Sequence, residues 1–116
     1  MLKIYHNPRC SKSRAGLRYL EGKTSDFTIR KYINEPPHYE ELKKMFTKLN
    51  EKPKDMIRTQ EDVYKKQLKG KDFTDDEWIK IIAENPRLLK RPVVETDYKA
   101  VLGNPPENID ELLNKQ

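Results

Sequence analysis

The chain contains a single cysteine, which lies in a short polar segment near the N-terminus. This segment, residues 6–14, reads His-Asn-Pro-Arg-Cys-Ser-Lys-Ser-Arg, with the thiol at Cys10. Cationic neighbours and a helix N-terminus both stabilise a thiolate and lower the pKa of a thiol from its free value of about 8.5. A lone cysteine is often a small buried hydrophobic residue. Because the neighbours of Cys10 are polar and basic, the sequence favours a reactive thiol.

Two roles are open for the histidine and the serines beside Cys10. His6 is either a base or a cation next to the thiolate, or a histidine at a strand end that is hydrogen-bonded to the backbone. Ser11 and Ser13 either donate hydrogen bonds to the thiolate or cap the helix that follows, which is the commoner role.

Two arginines far from the cysteine in sequence are candidates for binding an oxyanion. Arg58 lies in an interrupted helical segment, and Arg91 directly precedes Pro92 at the start of a predicted strand. The planar guanidinium matches the oxygens of a tetrahedral anion better than an ammonium group does. In a chain with 24 Lys and Arg residues, a plain surface role is the alternative for each.

The composition bounds the class of protein. The chain has 116 residues, a net charge of +5 and 34% hydrophobic residues, which fits one domain, residues 1–116, with a modest core. One cysteine excludes an internal disulfide and a multi-cysteine zinc site, and we expect no bound metal or cofactor. No signal-peptide core or long apolar run is present, so we expect a cytoplasmic protein with no membrane segment. The basic residues form no recognised nucleic-acid motif, and we expect no nucleic-acid partner.

The elements that must position these residues follow from the hydrophobic pattern. Alternation predicts strands over residues 2–5 and 27–33, with a helix over 11–21 between them. An apolar stripe predicts a helix over residues 39–50, and the capping box at 74–77 begins another. Strands over 91–95 and 98–102 are predicted to form a hairpin, and a capping-type start at 108–111 leads into a final helix.

This order of elements predicts an α/β protein with a thioredoxin-like fold. A strand–helix–strand unit pairs its strands in parallel through a right-handed crossover, and the hairpin adds antiparallel strands to the same sheet. The expected architecture is a mixed four-stranded sheet with a helical insertion at about residues 39–88.

The cysteine segment resembles the active-site segment of the glutaredoxin-coupled arsenate reductase (ArsC) family. The family pattern is Tyr-His-Asn-Pro, any residue, Cys, two residues, then Ser-Arg, and it matches residues 5–14. The resemblance spans nearly the whole chain and continues through Asn34–Pro37, Ile57-Arg58, Phe73–Asp76, Asn85-Pro86 and Leu89–Val94.

The resemblance implies thiol chemistry on an oxyanion. In such enzymes the cysteine that matches Cys10 attacks arsenate, glutathione displaces the adduct, and glutaredoxin completes the reduction to arsenite. The chain has no second thiol. Any adduct on Cys10 must therefore be released by an external thiol, for which glutathione is the expected co-substrate. We expect the protein to act as a monomer.

The resemblance also implies roles for six residues around this cysteine. The side chains expected around the thiolate are His6, Ser13 and Arg14; those expected to hold the oxyanion are Arg58 and Arg91; and Pro92 is expected to follow a cis peptide bond. Arsenate-reducing members carry a third oxyanion arginine after the Arg-Pro pair. Ungapped counting places that position at Val101, where Lys99 is the nearest cation. One lost charge-assisted contact weakens oxyanion binding by ~1.5 to 3 kcal/mol.

A second function from a different class is open. The related Spx regulators bind RNA polymerase and sense oxidation through a Cys-x-x-Cys pair. Ser13 stands where the second cysteine of that pair would be, so an internal disulfide switch is excluded. The alternative to an enzyme is therefore a non-catalytic regulator that binds an RNA polymerase subunit.

Overall fold

A mixed sheet of four strands forms the centre of the molecule. A computed structural model describes residues 2–113. The strands are β1 (Leu2–His6), β2 (Phe27–Lys31), β3 (Val93–Glu95) and β4 (Ala100–Leu102), in the order β2-β1-β3-β4. The β1–β2 pair is parallel, and β3 is antiparallel to both of its neighbours. The predicted mixed four-stranded sheet is confirmed.

Helices cover both faces of this sheet. The α-helices are α1 (Ser11–Glu21), α2 (Tyr39–Leu49), α3 (Asp75–Glu84) and α4 (Asp110–Leu113). Three short 3₁₀ helices span Pro53–Met56, Pro86–Leu88 and Pro106–Ile109, and a π-helical turn spans Tyr64–Leu68. The segment predicted as interrupted helix over 54–68 therefore consists of two short helical pieces with irregular chain between them.

Alternation along the strands divides the core into two parts. Ile4 packs with α1 and α4, whereas its neighbour Tyr5 packs with α2 and α3, because successive side chains of a strand point to opposite faces. Val94 and Val93 divide in the same way. The chain thus has three layers, with α1 and α4 on one face of the sheet and α2 and α3 on the other.

The β2, β3 and β4 strands are shorter than predicted because turns and a proline bound them, whereas β1 extends one residue further than predicted, to His6. The backbone N–H groups of Asn34 and Glu35 both donate to Lys31 O, so a turn replaces the last predicted residues of β2. In the hairpin, Thr96 N donates to Lys99 O at 2.7 Å, and β4 therefore begins at Ala100. The β3 strand begins at Val93, after Pro92, which has no N–H to donate to a ladder.

One predicted helix start is confirmed and one is wrong. At α3, Glu77 N donates to Thr74 Oγ1 at 3.1 Å and Thr74 N donates to Glu77 Oε1 at 2.8 Å, which is the predicted capping box. At the C-terminal helix, the Asn108 side chain instead donates to Leu102 O. Here a 3₁₀ helix begins at Pro106, and α4 begins only at Asp110.

Candidate active site

The cysteine directly precedes α1, in the loop that follows the carboxyl end of β1. Cys10 is the N-cap residue, with its N–H donating to Asn7 O at 3.0 Å and its carbonyl accepting from Arg14 N at 2.9 Å. The thiol is half-buried. The free N–H groups of the first helical turn and the helix dipole therefore lie beside the sulfur, where they favour a negative charge.

Close packing of α1 against the cis-proline loop fixes the position of this helix. The Arg91–Pro92 peptide bond is cis, as the family resemblance implies. A Cβ atom on Gly16 of α1 would lie 2.5 Å from Pro92 Cγ and 3.2 Å from Gly103 O. Only glycine permits this approach, which brings Cys10 and the residue before Pro92 to the same side of the molecule.

The surroundings lower the pKa of the Cys10 thiol from its ordinary value. Partial burial is the largest contribution and opposes ionisation. It is outweighed by hydrogen bonding to the sulfur from the Ser13 N–H, the Arg91 side chain and the Lys12 N–H, together with the charge of Arg91. The site therefore favours the thiolate, which is the nucleophilic form.

Arg91 is held rigidly and keeps one donor free. The side chain is 6% exposed, and its Nη1 atom donates to Arg87 O at 2.8 Å and to Leu89 O at 3.2 Å. Its Nε atom is buried and has no hydrogen-bond partner among residues 2–113. Buried donors in native proteins are almost always paired, so this N–H is available to a bound anion.

A short antiparallel contact places Arg58 beside Arg91. Ile57 and Leu89 form an isolated β-bridge, flanked by the hydrogen bond from Arg58 N to Leu88 O at 2.7 Å. The Arg58 Nε atom donates to Glu61 Oε2 at 3.0 Å. The two terminal nitrogens of Arg58 have no partner within residues 2–113 and remain available as a fork for an anion.

Tyr32 supports the same loop from beneath. Burial raises the pKa of Tyr32 to about 12, although the nearby Arg91 and Arg58 charges oppose this. The hydroxyl is therefore protonated, and it donates to Leu89 O at 3.2 Å. Leu89 O thus accepts from both Tyr32 and Arg91, which links the buried phenol to the guanidinium.

Two adjoining clefts meet at these residues. The cleft over the thiol has a volume of about 450 Å³ and is lined by Asn7, Arg9, Cys10, Ser11, Lys12, Arg58, Gln60, Glu61, Arg87 and Arg91. A neighbouring cleft of about 320 Å³ is lined by Lys12, Arg58, Gln60, Lys90, Arg91, Leu102 and Asn104. Five cationic side chains and one carboxylate line the first cleft, and such a set suits an anionic ligand.

His6 and Ser13 lie beneath the cysteine loop and support it. The Ser13 hydroxyl accepts from Asn7 N at 3.0 Å and lies 2.8 Å from His6 Nδ1. Burial, with the charges of Lys31 and Arg14, lowers the pKa of His6 below its ordinary value. The His6 and Ser13 side chains thus contact each other beneath the loop, and the Ser13 group that bonds to the Cys10 sulfur is its backbone N–H.

Arg14 does not reach the cleft that the sequence assigned to it. Its Nη1 atom donates to Pro8 O at 2.9 Å on the exposed side of the loop. Arg14 follows Cys10 by four residues, so it lies on the same helix face but one turn further along α1. The guanidinium links α1 to the preceding turn, and Arg14 is not among the residues that line the cleft over the thiol.

The residue at the position counted for a third arginine, Val101, lies away from the clefts around Cys10. Val101 pairs with Val94 and packs in the core beside α1, and Lys99 pairs with Glu111 at 3.0 Å. Neither residue lines the clefts around Cys10. Asn104 is the residue after β4 that does so.

Several residues that line the clefts were not assigned to the site from the sequence, among them Lys12, Gln60, Glu61, Arg87 and Asn104. Lys12 had a signal, since it lies two residues after the cysteine at a predicted helix N-terminus. Gln60, Glu61 and Asn104 lie in irregular segments, and Arg87 lies in the 3₁₀ helix Pro86–Leu88. Their positions depend on the bridge between Ile57 and Leu89 and on the cis-proline loop, and no local pattern marks them.

The sheet, the helix that begins at a cysteine and the facing cis-proline loop define a protein of the thioredoxin-like class. The chain belongs to the ArsC family, whose sequence profile matches residues 5–112. It is 42% identical over 114 residues to an arsenate reductase from Neisseria meningitidis, with 97% of each chain covered. An arsenate reductase from Haemophilus influenzae is 38% identical over 112 residues, covering 95% of this chain and 97% of that protein.

The solved structures agree with this assignment. Arsenate reductase from Vibrio cholerae superimposes with a TM-score of 0.87 at 38% identity, covering 95% of each chain. Within residues 2–113, no helix is both long and apolar enough to cross a membrane. The same residues contain no group of three or more His, Cys, Asp or Glu side chains that could hold a metal ion.

Proposed function

We propose that the protein is an arsenate reductase in which Cys10 is the nucleophile and external thiols supply the electrons. The observation that carries this proposal is the pairing of Cys10, at a helix N-terminus, with the buried and unpartnered Nε–H of Arg91. A nucleophilic thiolate and a donor for an oxyanion thus face one cleft. The arsenate reductases among its relatives support arsenate as the substrate.

The first step forms a bond between the cysteine and arsenic. The Cys10 thiolate attacks the arsenic atom, an S–As bond forms, and one As–O bond breaks, with its oxygen leaving as water once protonated. Arg58 and Arg91 bind the remaining oxygens and stabilise their charge in the transition state. Since the guanidinium of Arg91 is already fixed by two carbonyls, little reorganisation is required when the anion binds.

The electrons come from two external thiols. Glutathione replaces a second oxygen on arsenic and releases water. The glutaredoxin thiolate then attacks the glutathione sulfur, so an S–S bond forms and the glutathione S–As bond breaks, leaving its electron pair on arsenic, which becomes As(III). Water hydrolyses the last S–As bond, releasing arsenite and the Cys10 thiol. No second cysteine of this chain is required, in accord with its single thiol.

A coupled assay tests this function. Purified protein is mixed with arsenate, glutathione, glutaredoxin, glutathione reductase and NADPH, and NADPH oxidation is followed. We expect turnover by the native chain, none by the near-isosteric Cys10→Ser variant, and a loss of turnover when glutaredoxin is omitted. Turnover that survives Cys10→Ser contradicts the mechanism. A native protein that gives no turnover and instead co-purifies with RNA polymerase would favour the regulator alternative.

A further inference from the structure

The two arginines expected to hold the oxyanion are balanced in charge by two other groups of the cleft before any ligand binds. A Cys10 thiolate and the Glu61 carboxylate carry two negative charges, and Arg58 and Arg91 carry two positive charges. The Glu61 carboxylate lies 3.0 Å from Arg58 Nε and already neutralises much of that guanidinium. A tetrahedral dianion that binds between these two arginines adds two negative charges to four groups that sum to zero, so the other cations of the cleft, Arg9, Lys12 and Arg87, strengthen its binding.

Lys12 is the cation best placed to supply this charge. It lines both the cleft over the thiol and the neighbouring cleft, as do Arg58, Gln60 and Arg91, so these four residues form the wall between the two. The Lys12 ammonium has no ion pair or hydrogen-bond partner within residues 2–113. Because the lysine side chain is flexible and its ammonium group is unpaired, the group can reorient toward an anion without breaking an existing contact.

We propose that Lys12 is the third oxyanion-binding cation of this site, and that it sets the affinity for dianions by offsetting the negative charge of Glu61. This proposal rests on the proposed use of the Cys10 cleft as an oxyanion site. It adds a substrate-binding residue from the first turn of α1, where the position counted from the family pattern, Val101, is in the core. The unpartnered Nε–H of Arg91 in the same wall marks where the anion binds.

The test measures binding without requiring turnover. Alkylation of Cys10 by iodoacetamide is timed at rising concentrations of arsenate, phosphate or sulfate, and the concentration that gives half-protection is recorded. We expect Lys12→Met to raise this concentration for arsenate about tenfold, and Lys12→Arg to preserve it within about threefold. The matched control is Lys44→Met, which removes the same charge from the exposed face of α2 and should change the value by less than about twofold.

A second variant, at Glu61, tests whether the charge of Lys12 acts by offsetting the charge of Glu61. Glu61→Gln keeps an oxygen that accepts from Arg58 Nε but removes one negative charge from the cleft. We expect Glu61→Gln to lower the half-protection concentration, and the Lys12→Met/Glu61→Gln double variant to return to within about threefold of the native value. Each variant is compared with its own alkylation rate in the absence of anion, which corrects for changes in the thiol.

Three results would overturn the proposal: Lys12→Met behaves like Lys44→Met, the double variant stays as weak as Lys12→Met, or none of the anions protects the native protein. A different result would overturn only the proposed function. This result is protection of Cys10 by the anions, with the expected dependence on Lys12, but no reduction of arsenate in the coupled assay. It would support oxyanion binding at the Cys10 cleft and contradict the proposed arsenate reductase activity.

Discussion

At the scale of single residues, the two arginines of the site differ in how they are held. Arg91 is buried and fixed by two backbone carbonyls, whereas Arg58 is held by a carboxylate that shares its charge. Only Arg91 contributes directly to stabilising the Cys10 thiolate, through a hydrogen bond and its charge. In the proposed mechanism, Arg91 therefore acts on both the nucleophile and the substrate, and Arg58 on the substrate alone.

Replacing Arg91 is expected to make Cys10 a weaker acid. Arg91→Gln removes the positive charge, so the pKa of the thiol rises toward its ordinary value and the alkylation rate at neutral pH falls several-fold. Arg91→Lys keeps a positive charge but loses the planar guanidinium, so it should raise the pKa of the thiol less than Arg91→Gln does. The measurement is the iodoacetamide rate as a function of pH, with circular dichroism to check folding. Equal pH profiles for the native protein and Arg91→Gln would show that Arg91 does not affect the pKa of the Cys10 thiol.

Protonation of His6 is expected to destabilise the fold. Its pKa is lowered in the native state, chiefly by burial, so the unfolded chain binds a proton more readily than the folded one. The neutral His6 therefore contributes its full stabilisation above a pH of about 6.5, which is the pKa of histidine in the unfolded chain. This stabilisation is lost as the pH falls through the lower pKa of His6 in the native state. We expect His6→Asn to lose less stability than the native chain between pH 7.5 and pH 5. His38→Asn, at the exposed second histidine, should follow the native pH dependence; if it matches His6→Asn instead, His6 is not the group responsible.

At the scale of elements, local periodicity predicted more of the fold than of the site. The helix over 11–21 and the mixed sheet follow from apolar spacing within each segment, and the structure confirms both. Arg58 and Arg91 are brought together by the bridge between Ile57 and Leu89, and no pattern in either segment specifies that pairing. Counting along the chain could not tell which residues after Pro92 face the cleft, because side chains alternate along β4: Val101 packs in the core, and the next residue, Leu102, lines the cleft.

The contact between α1 and the cis-proline loop gives a prediction at this scale. Gly16→Ala places a Cβ atom 2.5 Å from Pro92 Cγ, so α1 or the loop must move. We expect a loss of about 1–3 kcal/mol in the free energy of unfolding, which is typical of overpacking, together with slower Cys10 alkylation as α1 shifts. Urea denaturation and the iodoacetamide rate measure the two effects.

The matched control is Gly22→Ala at the other end of α1. A Cβ there meets only Tyr19 O at 3.5 Å and Arg18 O at 3.7 Å, and φ is −72°, which alanine adopts readily. We expect Gly22→Ala to be neutral or to stabilise by about 0.4–1 kcal/mol. Equal effects of the two substitutions would show that the approach to Pro92 is not tight.

At the scale of the whole molecule, a buried carboxylate joins α2 to the sheet. Glu95 of β3 accepts from the Tyr5 hydroxyl at 3.3 Å and lies 3.8 Å from Lys48 Nζ of α2 and 3.9 Å from Lys3 Nζ of β1. Lys48 also donates to Thr96 O at 3.0 Å. These contacts link two strands, a helix and the hairpin turn on the face of the sheet that carries α2 and α3.

Comparison of two carboxylates tests whether burial or distance decides their contribution to stability. The Glu95 side chain is 12% exposed and its ion pairs are long, whereas the Glu111 side chain is 58% exposed and lies 3.0 Å from Lys99. Glu95→Ala leaves the buried Tyr5 hydroxyl without its acceptor and removes the ion pairs with Lys3 and Lys48, so we expect a loss of about 1–3 kcal/mol in the free energy of unfolding. Glu111→Ala removes a solvated pair and should cost about 0–1 kcal/mol.

Glu95→Gln separates the hydrogen bond from the charge. The amide oxygen still accepts from Tyr5, so the loss in the free energy of unfolding should be smaller than that of Glu95→Ala. Added salt should reduce the difference in stability between Glu95→Gln and the native chain, because it screens the ion pairs of Glu95. Urea unfolding at low and high ionic strength measures all three variants. If Glu111→Ala costs as much as Glu95→Ala, the distance between the charges governs these pairs, and the buried carboxylate is not what holds α2 against the sheet.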